Sequence, residues 1–372
     1  MAYTTIDDPS AYFQTKIYTG NGGALAVTND GNSDLQPDWV WFKKRGANEN
    51  HALVDTNRGI DRFLATNSTA VEQHQPTTGN TDADDIASFD TDGFTFSGGG
   101  GAYNQSSNTY VAWQWKANGG TTTTNDASAT SVGDTDSVYQ VNSTAKFSIV
   151  SWTGSGSGSI NIAHGLGSTP KFIIIKQRNG DNSWLVYHHK NTVVDEAHDT
   201  FLKLHLTNGS SADANNYFMA DTAPTSTVAT FGSGTEANAS GTYIGYFFDE
   251  VQGYSKFGSY TGNGNSDGTF IYTGFKPKYF LLKNITASSG SGGQHWQISD
   301  TERHPDNPLD LTLFAEVNAV EGGSWSIKDF LSNGVKIRGS NYAMNFSGDK
   351  YIYMAFAEHP FVSSEGVPVT AR

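Results

Sequence analysis

The sequence predicts an all-β fold of three tandem β-sandwich or jelly-roll-like modules, each of about 100 residues. Three observations carry that expectation. Aromatic side chains make up 13% of the 372 residues and glycine occurs 41 times, while long helical runs of Leu, Ala, Glu and Lys are missing. Short apolar runs such as "DWVWF", "KFIII" and "KYFLL" are bounded by Gly, Asn and Ser, as strands are. An internal repeat places these runs at matching intervals.

The repeat begins with "TGNG" at residues 19–22, "TGSG" at 153–156 and "TGNG" again at 261–264. Each is followed by a Pro-led apolar run: "PDWVWFKKR" (37–45), "PKFIIIKQR" (170–178) and "PKYFLLKN" (277–284). Further on stands a Tyr-led run: "YVAWQWKA" from Tyr110, "YIGYFFDE" from Tyr243 and "YIYMAFAE" from Tyr351. The Pro-to-Tyr distance is 73, 73 and 74 residues, and the distance from the first Gly of the phrase to the Pro is 17, 16 and 15. The phrase reads as a turn near the start of each module, with Gly and Asn supplying unusual backbone angles. Weaker echoes lie between: "NHALVDTNRG" (50–59), "NSWLVYHHK" (182–190) and "QHWQISDTER" (294–303). Gly93 and Gly334 each precede the closing Tyr by 17 residues, where the second copy has Ser226.

Taken in chain order, residues 1–16 form an N-terminal arm without a clear core pattern, and module 1 covers 17–117. In each Pro-led run the Pro opens a strand buried on both faces, and the Lys returns the chain to water. The closing strand alternates. Val111, Trp113 and Trp115, with Ile244, Tyr246 and Phe248 and with Ile352, Met354 and Phe356, mark the core face. The opposite face, Tyr110, Ala112 and Gln114 in the first copy, reads as partly covered. Pro37 to Pro170 is 133 residues but Pro170 to Pro277 only 107, and the surplus falls on a Thr/Ser/Gly-rich linker, residues 118–146. Module 2 follows at 147–250, module 3 at 251–360 and a C-terminal tail at 361–372. Modules 2 and 3 are expected to pack as a rigid pair, with module 1 offset. Residues 195–206, "DEAHDTFLKLHL", read equally well as a short helix.

Several function classes are disfavoured. Without cysteine there is no disulfide, thiolate metal site or cysteine nucleophile. A net charge of −14 argues against nucleic acid and anionic membrane surfaces as partners. No run of about 18 apolar residues suggests membrane insertion, and the start lacks a secretory pattern, so a soluble, untargeted chain is expected. His188, His189, His198 and His205 lack zinc-site spacing and read as surface histidines. The oxygen-rich turns at 29–34 and 80–85 lack the EF-loop pattern and read as solvated turns. Asp55 and Asp61 flank Arg58, which suits an ion pair holding a loop. "GSGSGS" (154–159) coincides with the repeat turn and lacks the ending of a phosphate loop. No catalytic residue, metal or cofactor is expected, and the chain reads as a non-enzyme. Most of the eight tryptophans fall on predicted core strands, whereas Trp184 and Trp296, in the variable middle segments, are candidates for surface ligand binding.

The stretches "MAYTTIDDPSAYFQTKIYTGNGG", "NDGNSDLQPDWVWFKKR", "DTNRG" and "YVAWQWKA" resemble the repeat modules of virion structural proteins of marine tailed bacteriophages, including those of cyanobacteria. The resemblance runs through all three copies and is most specific in the first 60 residues. It implies a virion component on the particle's external surface, on the tail rather than the head: a tail fibre or appendage subunit that contacts the host. Neither cofactor nor catalytic residue is implied. The arm, with Tyr3, Ile6, Tyr12 and Phe13, is expected to dock onto other virion proteins. The chain is expected to form a homo-oligomer, a trimer by analogy, and to meet a host surface glycan or protein. A capsid decoration protein and a host-polysaccharide depolymerase are the alternatives.

Overall fold

The predicted Pro-led strands are present at Trp39–Lys44, Phe172–Gln177 and Phe275–Asn284, and each pairs antiparallel with the closing strand of its own module. The closing strands are Thr109–Trp115, Gly241–Phe248 and Lys350–Pro360. A computed structural model describes residues 2–74, 86–98, 101–286, 294–323 and 326–369. The turn predicted at 80–85 and Trp325 lie outside the described residues.

All three modules share one strand order. An opening strand (Phe13–Thr19, Phe147–Gly154 or Ser255–Thr261) lies beside the closing strand, then comes the Pro-led strand, then a third strand (Ala52–Asp55, Leu185–His188 or Gln297–Asp300). Register repeats as well. Trp39 pairs with Trp115, Phe172 with Phe248 and Tyr279 with Phe356. Over one face of each large sheet lies a small sheet, made by Leu25–Val27, Gly93–Phe96 and Ile86–Asp90, by Ile160–Ala163 and Val228–Phe231, and by Phe270–Tyr272, Gly334–Ile337 and Lys328–Leu331. The fold is therefore all-β, built of two-layered modules in series.

The repeated phrase has a structural reason at each glycine. A Cβ on Gly20, Gly154 or Gly262 would lie 2.4, 2.2 or 2.1 Å from the carbonyl oxygen of Gln105, Ala239 or Phe346. The second glycine of each phrase, Gly22, Gly156 or Gly264, has φ of 71°, 78° or 67°. A buried asparagine just before the closing strand completes the turn. Asn104, Asn238 and Asn345 accept the backbone N–H of Asn21, Ser155 and Asn263 through their side-chain oxygens. The closing tyrosines Tyr110, Tyr243 and Tyr351 then accept the N–H of Gln105, Ala239 and Phe346. One phrase is used three times because it clasps the start of each module to its last strand.

Both faces of the Pro-led and closing strands of each large sheet are buried, which corrects the expectation of a partly covered outer face. Tyr110 and Ala112 fill the interior of the module 1 sandwich, as Tyr243 and Phe247 do in module 2 and Tyr351, Tyr353 and Ala355 in module 3. The residues predicted as the core face, Trp113, Trp115, Tyr246, Phe248, Met354 and Phe356, instead meet in a fourth core common to all modules. There the ring centroids of Trp115 and Phe356 are 5.7 Å apart, those of Phe248 and Phe356 6.1 Å, and those of Trp39 and Tyr246 4.5 Å. Module 1 is not offset from a rigid pair; the three large sheets enclose one interior.

Two further expectations are corrected, and the open reading of residues 195–206 is settled. Residues 118–146 are not a linker: they form strands Thr123–Asn125 and Ser137–Asn142 and helix Ala127–Thr130, extending the module 2 sheet. Its Thr/Ser-rich composition suits edge strands with one exposed face, while Tyr139 and Val141 pack on the module 2 core. The 195–206 stretch forms a single 3-10 turn, Ala197–Asp199, followed by strand Thr200–Lys203. Lastly, Lys43, Lys176 and Lys283 do not return the chain to water. Each is buried, and each ammonium donates to two carbonyls: Lys44 and Asn318, Gln177 and Gly180, Thr207 and Gln294. Desolvation holds their pKa down, to about 8, 8 and 7.

Candidate functional site

The seams between modules are where the residues picked out from the sequence converge. Trp184 and Trp296 are 0% and 1% exposed, which corrects their reading as surface stacking residues. They immediately precede the third strand of modules 2 and 3, and the equivalent of both in module 1 is His51, as the pairings of Ala52, Leu185 and Gln297 establish. Each sends one N–H into the next module. Trp184 Nε1 donates to the carbonyls of Ala65 and Ser68 at 2.9 and 3.1 Å, and Trp296 Nε1 to Lys203 at 3.1 Å. His51 Nε2 lies 2.9 Å from the carbonyl of Phe314, closing the cycle.

The other end of the third strand makes a second cycle. Asp55 and Arg58 pair at 2.5 Å, and Asp55 also accepts the Tyr246 hydroxyl of module 2 at 2.8 Å. Asp300 and Arg303 pair at 2.6 Å, and Asp300 accepts Trp113 Nε1 of module 1 at 2.9 Å. Module 2 has His188 at this place, with Nε2 3.2 Å from the carbonyl of Tyr353 in module 3. Glu72 links Arg58 to Arg178, and Glu321 links Arg303 to Arg45. The expected loop-holding ion pair is thus present with Asp55; Asp61 is half exposed and lies beside Arg62 and His74.

His188 is fully buried, correcting its reading as a surface histidine. Desolvation first, and His189 second, press its pKa from the ordinary 6.5 to about 3. Desolvation and Lys43 do the same to His51, also to about 3. Between pH 6.5 and 3 the unfolded chain binds these protons and the folded chain does not, so their contribution is intact above about pH 6.5 and is lost as pH falls. The urea midpoint should therefore drop steadily from pH 6.5 to 4, and His188→Gln should flatten that slope. A midpoint constant over this range would refute the assignment.

The proposed docking arm is built into the body. Ile6 and Phe13 are buried in the common core, Phe13 stacking on Phe356 at 5.1 Å, and Tyr12 packs edge-on to Tyr254 at 6.0 Å. A docking role for Ile6 and Phe13 is corrected accordingly. Tyr3 stands beside a cleft next to the small sheet of module 3.

That cleft, of about 410 Å³, lies where the arm and the end of module 2 meet module 3, and is lined by Tyr3, Glu250, Gln252, Ser255, Lys256, Tyr272, Thr273 and Gly274. Tyr272 ends edge strand Phe270–Tyr272 and is 56% exposed; Phe270, on the same face, is 43% exposed. The Tyr3 hydroxyl donates to the Gly274 carbonyl at 2.7 Å and lies 3.4 Å from the Tyr272 hydroxyl. Burial, then the Tyr272 contact, push the Tyr3 pKa up to about 12, so it stays a neutral hydroxyl at neutral pH. Glu250 and Lys256 pair at 3.0 Å across the floor. The cleft thus offers two aromatic rings, an exposed amide, hydroxyls and a neutralised ion pair. Sequence reasoning missed it because Tyr272 and Lys256 lie in different strands. The available signal was a break in the repeat: the equivalents of Phe270 and Tyr272 are Ala26 and Thr28 in module 1 and Asn161 and Ala163 in module 2.

The remaining candidates are more modest. The 29–34 turn is satisfied from within: Asn29 accepts Gln114 Nε2 at 2.6 Å, Gly31 N–H reaches Gln14 Oε1 at 2.9 Å, and the Ser33 hydroxyl reaches Asp8 at 2.6 Å. His198 and Asp199 of one turn and Asp221 of another hold ligand-type atoms within 4.8 Å of one another, a cluster that draws in none of the other three histidines.

The sequence profile of the family described as Domain of unknown function (DUF7483) matches residues 8–360, a span that takes in all three modules. No curated protein matches the chain.

Proposed function

We propose that this chain, which belongs to the family DUF7483 through a match running across all three modules, is a structural subunit of a bacteriophage virion, placed on a tail fibre or appendage that contacts the host. The observation that supports this reading is the cyclic set of seams. Three modules hold one another through buried indole, imidazole and guanidinium contacts around a single aromatic core. Such a body is suited to bearing load and presenting surfaces rather than to opening and closing around a substrate. The acidic, cysteine-free composition is compatible with a particle exposed to changing surroundings.

The same arrangement favours a second reading. Three equivalent modules in cyclic order already form, within one chain, what a trimer forms from three, and this suits a decoration protein seated on a capsid lattice. Immunogold labelling of purified virions separates the two. Label at the tail is the expected result; label over the head would establish decoration, and virions without label would overturn both readings.

A further inference from the structure

We propose that the module 3 cleft between Tyr3 and Tyr272 is a binding site for a neutral saccharide. The internal repeat supplies the control that makes the argument. The outer face of the small sheet carries Ala26 and Thr28 in module 1 and Asn161 and Ala163 in module 2, so the fold closes without aromatic rings at these positions. Module 3 alone places Phe270 and Tyr272 there, and leaves both substantially exposed. Two rings that water must solvate on an edge strand gain little for folding, and they present flat apolar faces of the kind that stack on the C–H face of a pyranose.

The rest of the cleft fits the same ligand. Its volume of about 410 Å³ lies in the range of small-molecule sites. Gln252 is exposed at its rim and offers both an amide donor and an acceptor, and the Tyr3 hydroxyl is held in place by the Gly274 carbonyl. Its one cation, Lys256, is neutralised by Glu250, and Glu250 is itself fixed by the N–H of Phe257 at 2.9 Å. Vicinal hydroxyls of a sugar can bridge such a carboxylate–ammonium pair, accepting from one partner and donating to the other. The absence of a spare cation among the lining residues, together with the net charge of −14, selects against anionic polymers.

This inference stands apart from the virion reading, since the cleft belongs to the isolated chain. The test is calorimetric titration and saturation-transfer NMR of the full chain with maltohexaose, cellohexaose, chitohexaose and β-galactohexaose, each to about 10 mM, to cover weak single-site affinities. At least one probe should bind saturably. Tyr272→Thr, which installs the module 1 residue, should weaken that probe at least about tenfold while the melting temperature stays unchanged, and Phe270→Ala should weaken it less. No saturable binding by any probe, or a Tyr272→Thr chain that binds as well as the parent, would overturn the proposal whatever particle the protein occupies.

Discussion

Arg58→Ala is expected to lower the unfolding free energy by about 3–5 kcal/mol, among the largest effects available to a single substitution in this chain. Arg58 and Asp55 have fully buried side chains, and the guanidinium also donates to the Leu53 carbonyl at 2.8 Å and to Glu72 at 3.1 Å. Removing it leaves the Asp55 carboxylate in the interior with the Tyr246 hydroxyl and its own loop N–H as partners. The cost arises from that stranded charge rather than from the pair's intrinsic value, because desolvating both ions offsets much of their attraction. Module 2 shows the alternative solution: His188 and Asn191 occupy the same two positions without a formal charge. The double substitution Asp55→His, Arg58→Asn should therefore cost clearly less than the two single changes added together. Urea denaturation of the four proteins measures this cycle. An Arg58→Ala cost below about 1 kcal/mol would show that the pair is not holding the seam.

What could be read from the sequence was the part that repeats at fixed spacing. Pro37, Pro170 and Pro277, with Tyr110, Tyr243 and Tyr351, located the two central strands of each sheet, because buried strands keep their lengths and apolar runs. Alternation on the closing strand correctly marked which side chains share a face. It could not tell which core that face enters, since Trp113 facing a neighbouring module and Trp113 facing its own sandwich have the same period of two. Residues 118–146 were misread because an edge strand with one wet face has the composition of a linker. The arm was misread because Ile6 and Phe13 are isolated anchors: one large side chain in the common core leaves no periodic trace. Trp184 and Trp296 sit in segments that vary between copies, yet variation there reflects different partners across each seam rather than exposure. The module 3 cleft was visible only as a departure from the repeat, and the departure gains meaning once the register fixes which residues are equivalent.

Trp184→Ala should produce the other large effect, about 3–5 kcal/mol, and should do so in a single cooperative transition. The ring is fully buried in the common core while its Nε1 satisfies two module 1 carbonyls, so truncation opens a cavity and strands polar groups at once. Trp184→Phe separates the two contributions: it keeps most of the apolar volume and loses the hydrogen bonds, for an expected cost of about 1–3 kcal/mol. The form of the transition tests the architecture more severely than its midpoint. If the three modules were independent beads, a substitution in module 2 would lower one step and leave the rest of the signal in place. Because Trp39 of module 1 packs on Tyr246 of module 2, and Phe13 of module 1 on Phe356 of module 3, loosening one sheet exposes the interior faces of the other two. Far-ultraviolet dichroism and tryptophan fluorescence should therefore report coincident midpoints in the parent and in both variants. A residual transition at the parental midpoint in Trp184→Ala would mean that the shared core does not couple the modules, and the case for a fused, load-bearing body would lose its physical basis.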